Sequence, residues 1–155
     1  MSRRDQITMT SAEVAEFLEA QRVVVCASNG RDGWPHLMPL WYLVRDGEIW
    51  AWTYAKSQKV RNLERDDRAT LQVEEGEQYH ELRGVMIEAT AVIHHQLDAV
   101  SDFGVQLFER YSGGAAAADP GFREAVRAQA SKRVALQFKP HRTASWDHRK
   151  LGGVY

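Results

Sequence analysis

Two glycine-centred turns cut the first third of this sequence into three apolar runs, and no other feature constrains the fold as strongly. Val23 to Ser28 is a short run that begins with three valines, and Asn29-Gly30-Arg31-Asp32-Gly33 follows it with residues that tolerate positive φ. Trp34 to Val44 is the next apolar run, and Arg45-Asp46-Gly47 turns the chain again before Glu48 to Thr53. This pattern predicts a three-stranded antiparallel meander.

The flanking segments extend that reading. Thr10-Ser11-Ala12-Glu13 is a capping box, in which Thr10 caps the backbone and Glu13 reaches back to it. Val14, Phe17 and Leu18 then share one helical face, so a helix should run from there to about Arg22. Lys56 to Arg65 predicts a short helix, and Arg68 to Val73 alternates like a strand. Gly84 to His94 is a long strand with Val85, Ile87, Ala89, Ala91 and Ile93 on alternate positions. Leu97 to Tyr111 and roughly Gly121 to Ala130 read as helices, with Gly113 to Pro120 between them as an expected mobile loop. Arg133 to Lys139 and Thr143 to Trp146 carry the last strand signals. Six or seven strands with helices inserted among them imply a mainly β, α+β chain built as an antiparallel barrel, not a βαβ sheet. At 155 residues the chain suits a single domain spanning 1–155.

Composition removes several function classes. The formal net charge of −1 excludes nucleic-acid binding through a broad positive field, so any anion site must be local. The single cysteine, Cys26, lies in an apolar run and reads as a buried core residue. No apolar stretch approaches the length of a membrane span, and Met1 to Gln6 lacks the apolar region of a secretory signal. A cytoplasmic location is the resulting expectation. His94 and His95 stand at a strand end, but spacing offers no third ligand, so no metal site is expected. Asp147-His148 can be read as an oriented imidazole or as part of a tail crossing to a second subunit, and no Ser or Cys nucleophile motif accompanies it.

The most informative stretch runs from Trp50 to Leu63. A strand delivers aromatics, and a turn then presents Lys56, Ser57 and Lys59 at a helix start. Free backbone N–H groups and the helix dipole favour an anion there. The ammonium groups and the hydroxyl add donors at the same point. Lysines at this end of a helix are unfavourable for the helix alone, so an anionic partner would explain them. A solvated basic turn is the alternative, with Lys59 exposed in either case.

Ser57-Gln58-Lys59-Val60-Arg61-Asn62-Leu63-Glu64-Arg65-Asp66-Asp67-Arg68-Ala69 resembles the signature of the pyridoxamine 5′-phosphate oxidase-like split-barrel proteins. The opening helix, the Asn29 to His36 turn and the strand after it follow in the order of that family. The resemblance implies a Greek-key split barrel with cofactor grooves at a homodimer interface. The tail Ser145 to Tyr155 lacks the Arg-x-His element of true pyridoxamine phosphate oxidases. His36-Leu37-Met38-Pro39-Leu40-Trp41 and Trp146 to Leu151 are instead similar to the flavin/deazaflavin oxidoreductases that use coenzyme F420. FMN remains the alternative cofactor.

That resemblance implies a set of candidate cofactor contacts. Met38, Pro39, Leu40 and Trp41 would line a slot for the ring, with Trp52 beside it. Lys56, Ser57 and Lys59 would hold the phosphate, and Arg61 or Asn62 a more distal group. Core packing is the competing role for each aromatic, and surface pairing with Asp66 or Asp67 the competing role for Arg61 and Arg65. No catalytic side chain is assigned, although His36 precedes the slot. The implied activity is hydride transfer from reduced deazaflavin to an unsaturated or electrophilic small organic substrate. An FMN oxidoreductase and a non-catalytic cofactor carrier are the alternatives.

Overall fold

Alternation of side chains along each strand decides which face turns inward in the computed structural model, which describes residues 2–153. Among these residues the strands are β1 (Val23–Asn29), β2 (Pro35–Arg45), β3 (Glu48–Tyr54), β4 (Arg68–Glu75), β5 (Arg83–His94) and β6 (Arg133–Asp147). The helices are α1 (Arg3–Ile7), α2 (Ser11–Ala20), α3 (Gln58–Arg65), α4 (Leu97–Ser112) and α5 (Phe122–Ala130). The strands close into an antiparallel barrel in the order β1-β2-β3-β6-β5-β4. Val24 and Cys26 of β1, Leu71 and Val73 of β4, Val85 and Ile87 of β5, and Leu136 and Phe138 of β6 fill its interior. Their period of two is that of strands with one buried face.

The helices cover what the barrel leaves open. Thr10 caps α2 through the expected box with Glu13, and Phe17 and Leu18 of α2 join Val60 and Leu63 of α3 in the barrel core. Helices α4 and α5 pack outside, where Val100, Phe103, Leu107 and Val126 meet Trp52 and Ala135. Gly104 makes this approach possible, because a Cβ there would stand 2.6 Å from the Trp52 ring.

The meander, the opening helix and the barrel match the sequence expectations; three local features differ. The two C-terminal strand signals form one strand, β6, with a register shift between Glu88 and Ala89 of β5, where Arg142 and Pro140 are their partners. Proline has no N–H for the ladder, and a bulge accommodates it within a continuous strand. Residues 115–118 form a 3-10 turn inside the segment expected as loop, after Gly113 ends α4 in the left-handed conformation at φ 64°. Helix α1 was not expected; Ser2 and Asp5 form its capping box.

One seam positions the site. Strands β2 and β3 pair only from Tyr42↔Ala51 to Arg45↔Glu48. Before Tyr42, β2 pairs with β1, while Trp52 to Tyr54 of β3 pair with β6. The two strands part here, and α3 begins immediately after β3 leaves the seam.

Candidate functional site

Ser57 sets the start of α3: the Val60 backbone N–H donates to its Oγ at 3.4 Å. The helix then turns Lys59, Val60, Asn62 and Leu63 inward. Lys59 is 3% exposed, which corrects the expectation of a surface lysine. The physical reason is helical phase, since Lys59 shares the buried face with Val60 and Leu63, not the outer face with Arg61 and Glu64. Its Nζ donates to Thr53 Oγ1 at 3.2 Å, across the end of β3.

That ammonium is an unusual core group. Among the described residues Lys59 has no carboxylate partner, and the Thr53 contact uses a single N–H of its three. Burial pushes its pKa below the ordinary lysine value, against a smaller opposing influence from Cys26. Burial also raises the Cys26 thiol to about 11, so it is an inert core thiol and not a nucleophile. A buried cation with unused donors, beside a helix start, fits an anionic group such as a phosphate.

The expected slot residues do not share one face. Met38 pairs with Cys26 and Leu40 with Val24, on the barrel-interior side, whereas Pro39 and Trp41 alternate to the outside. Met38, Pro39 and Trp41 are exposed, and Leu40 packs against the core. Trp41 stacks on Tyr111 of α4 with ring centres 4.2 Å apart. Phe108 stands edge-on to both Trp41 and Trp52, at 6.4 and 5.7 Å. Trp52 itself is buried beneath α4, with the Arg133 guanidinium 4.6 Å from its ring. Core packing therefore describes Trp52, while Trp41 offers an open face.

The remaining candidates separate around α3. Lys56 is exposed and lines a cleft of about 510 Å³ with Tyr54 and Lys132. Arg61 lines a different cleft, of about 560 Å³, between α3 and the β1–β2 turn. That second cleft gathers Arg31, Trp34, His36, Gln58 and Arg65, which sequence reasoning did not group. Helical spacing could have joined Arg61 to Arg65, but only the fold brings the turn across from them. Asn62 is fully buried: it donates to Ser28 Oγ at 3.1 Å and accepts from Gln58 Nε2 at 2.9 Å. The bond to Ser28 ties α3 to β1.

Expected surface pairings also change. Asp66 pairs with Arg68 at 2.8 Å instead of Arg61 or Arg65, and these contacts together with one from Asn29 hold its carboxyl well below the usual range. Asp147 is buried and pairs with Arg149 at 2.6 Å, so it does not orient His148. The His148 Nδ1 instead meets the Tyr79 carbonyl at 2.9 Å. The expected tail crossing falls partly on residues 154 and 155, which lie outside the described residues. His94 stacks on Trp50 and contacts Gln137, and no cluster of metal-ligating side chains occurs among the described residues. No helix is long and apolar enough to cross a membrane among them.

Comparison with known proteins places this geometry. The conserved hypothetical protein Rv2991 of Mycobacterium tuberculosis is 42% identical, with 100% of this chain and 95% of that one covered and a TM-score of 0.88. An F420 reductase shares the fold at 19% identity and a TM-score of 0.65, covering 83% of this chain and 94% of its own. A FAD-binding protein from Mesorhizobium loti does so at 20% identity and 0.66, covering 89% and 94%. No curated protein matches the sequence. The family model for pyridoxamine 5′-phosphate oxidase matches residues 10–147, and the chain belongs to that family of flavin-type split barrels.

Proposed function

We propose that the protein is a reductase that uses the deazaflavin coenzyme F420 and acts on an unsaturated or electrophilic small organic substrate. The observation that carries this reading is the buried Lys59 ammonium, which lacks a carboxylate partner among the described residues and donates to Thr53, on the part of β3 beyond its last pair with β2. When bound, the deazaflavin would supply the two-electron hydride chemistry. The chain would bind and orient it. Lys59 would hold the phosphate, with help from the backbone at the Ser57 cap. Trp41 and Pro39 would offer apolar contact to the ring on the outward face of β2, and Met38 and Leu40, on its other face, would shape the strand.

The proposed site includes a second copy of the chain. Val23, Leu37 and Trp41 are exposed apolar side chains on neighbouring outward positions of β1 and β2. An apolar sheet face of this kind is normally covered in a soluble protein. Pairing two such faces would exclude water from the ring and leave the substrate as the hydride acceptor.

Mixing the protein with chemically reduced F420 and a panel of enones tests this function. Enone-dependent return of the oxidised deazaflavin absorbance is the expected result. Tight binding without turnover on any acceptor would make the protein a carrier. Turnover with reduced FMN alone would make it an FMN oxidoreductase.

A further inference from the structure

An apolar groove of about 270 Å³ lies between α4 and α5, outside the barrel. Phe108 of α4, Phe122, Ala125 and Val126 of α5, and Ala116 line it. Gly113 and Gly114, both at positive φ, turn the chain so that the 3-10 turn Ala115–Ala118 comes back against the two helices. Among the described residues that line the groove none is charged, and Gln129 is the one polar side chain. Packed helices ordinarily interlock their side chains to the density of an organic crystal. Here Ala116 and Ala125 present only methyl groups, so the chain itself leaves the groove unfilled.

The groove adjoins the proposed reaction site. Phe108 is the shared wall, since it lines the groove and stands edge-on to Trp41 at 6.4 Å. Val126 belongs to the cluster that packs on Trp52. Three residues along α4 from Phe108, Tyr111 stacks on Trp41. The lining also narrows the ligand. An ionic group would lose its hydration here and find no opposite charge. Phe108 and Phe122 stand at 90° with ring centres 6.3 Å apart, an arrangement that offers a flat wall and an edge to apolar groups. An apolar cavity of about 150 Å³ takes benzene, so this larger volume suits a ring or an alkyl chain of several carbons.

We infer that this groove takes the apolar tail of the substrate, an uncharged alkyl or aryl group, and that the preferred substrates are lipophilic enones instead of small polar ones. The inference rests on the proposed reductase reading, in which Trp41 contacts the cofactor ring. Phe108 would divide the tail from that ring, and Gln129 would meet a carbonyl or hydroxyl at the tail's outer end.

Calorimetry of the full chain with 4-hexylcyclohexanone and with cyclohexanone tests the inference apart from activity. Each methylene moved from water into an apolar site tightens binding about fourfold, so the hexyl ketone should bind at least about tenfold more tightly. A125L fills the groove from α5 and A116L from the facing turn, and either should abolish that preference. E124A should keep it, because Glu124 is exposed and does not line the groove. With reduced F420, kcat/KM should favour 4-hexylcyclohex-2-enone over cyclohex-2-enone by a similar factor, again lost in A125L and A116L. Equal binding of the two ketones, or a preference that survives both filling variants, overturns the inference. Turnover of both enones without a chain-length preference overturns it too, while the reductase reading stands. If neither enone is reduced, the reductase reading fails and the calorimetry alone decides whether the groove is an apolar ligand site. A loss of the dimer in A125L by native mass spectrometry makes the groove a subunit contact and overturns the inference.

Discussion

Replacing Lys59 by methionine should make the ligand-free protein more stable and the cofactor complex weaker. Methionine keeps the length of the lysine stem and removes a charge from a position only 3% exposed. Exchange of buried charged groups for apolar ones of similar volume stabilises proteins by about 1–4 kcal/mol when it is not neutral. Here the cation has no carboxylate to offset its burial, and the change costs about 1 kcal/mol through the Thr53 contact at 3.2 Å. A net gain of up to about 3 kcal/mol corresponds to a melting point higher by up to about 10 °C for a chain of this size. The pH dependence has a defined sign. Burial lowers the folded-state pKa of Lys59, so the unfolded chain binds its proton more tightly. Wild-type stability from this group therefore rises with pH between the folded pKa and the ordinary value of 10.5, and the K59M variant lacks that rise. Its affinity for a phosphate-bearing cofactor should fall roughly ten- to a hundredfold, the loss of a charge-assisted hydrogen bond. Thermal melts across neutral and alkaline pH, with binding titrations on the same samples, give both readouts. A lowered melting point with unchanged affinity would refute the reasoning and make Lys59 a purely structural residue.

Other substitutions report on the scaffold. Asn62→Ala removes the bond that ties α3 to β1 at Ser28 and should cost about 1–3 kcal/mol, visible as a lower midpoint in urea. Gly104→Ala places a Cβ 2.6 Å from the Trp52 ring and should destabilise by a similar amount through overpacking, with a disturbed near-ultraviolet circular dichroism signal. Cys26, fully buried with its thiol raised to about 11, should resist thiol reagents at neutral pH and react only when the chain unfolds.

The barrel was legible because its signals are local. Alternating Val85, Ile87, Ala89 and Ala91 in β5, the Thr10 capping box and the glycine turns each specify structure within a few residues. The two C-terminal strand signals read as separate because Pro140 and its neighbours lie between them, and only pairing with β5 reveals one strand with a bulge. The site was legible in part. Lys56, Ser57 and Lys59 do gather at the start of α3, but their exposure depends on helical phase against β3. Trp41 and Trp52 look alike in sequence, yet α4 covers one and stacks a tyrosine against the other. Arg31 and Arg61 come to line one cleft from a turn and a helix thirty positions apart, a distance no short motif spans.

Native mass spectrometry of the full chain, incubated with equal amounts of F420 and FMN, bears most directly on the proposed function. Two 17.7 kDa chains holding two deazaflavin molecules is the predicted species, retained in preference to FMN. The interface behind it should bury more than about 2,000 Å² and survive dilution to micromolar concentration. A monomer without ligand, or a dimer that carries FMN and rejects the deazaflavin, would contradict the account.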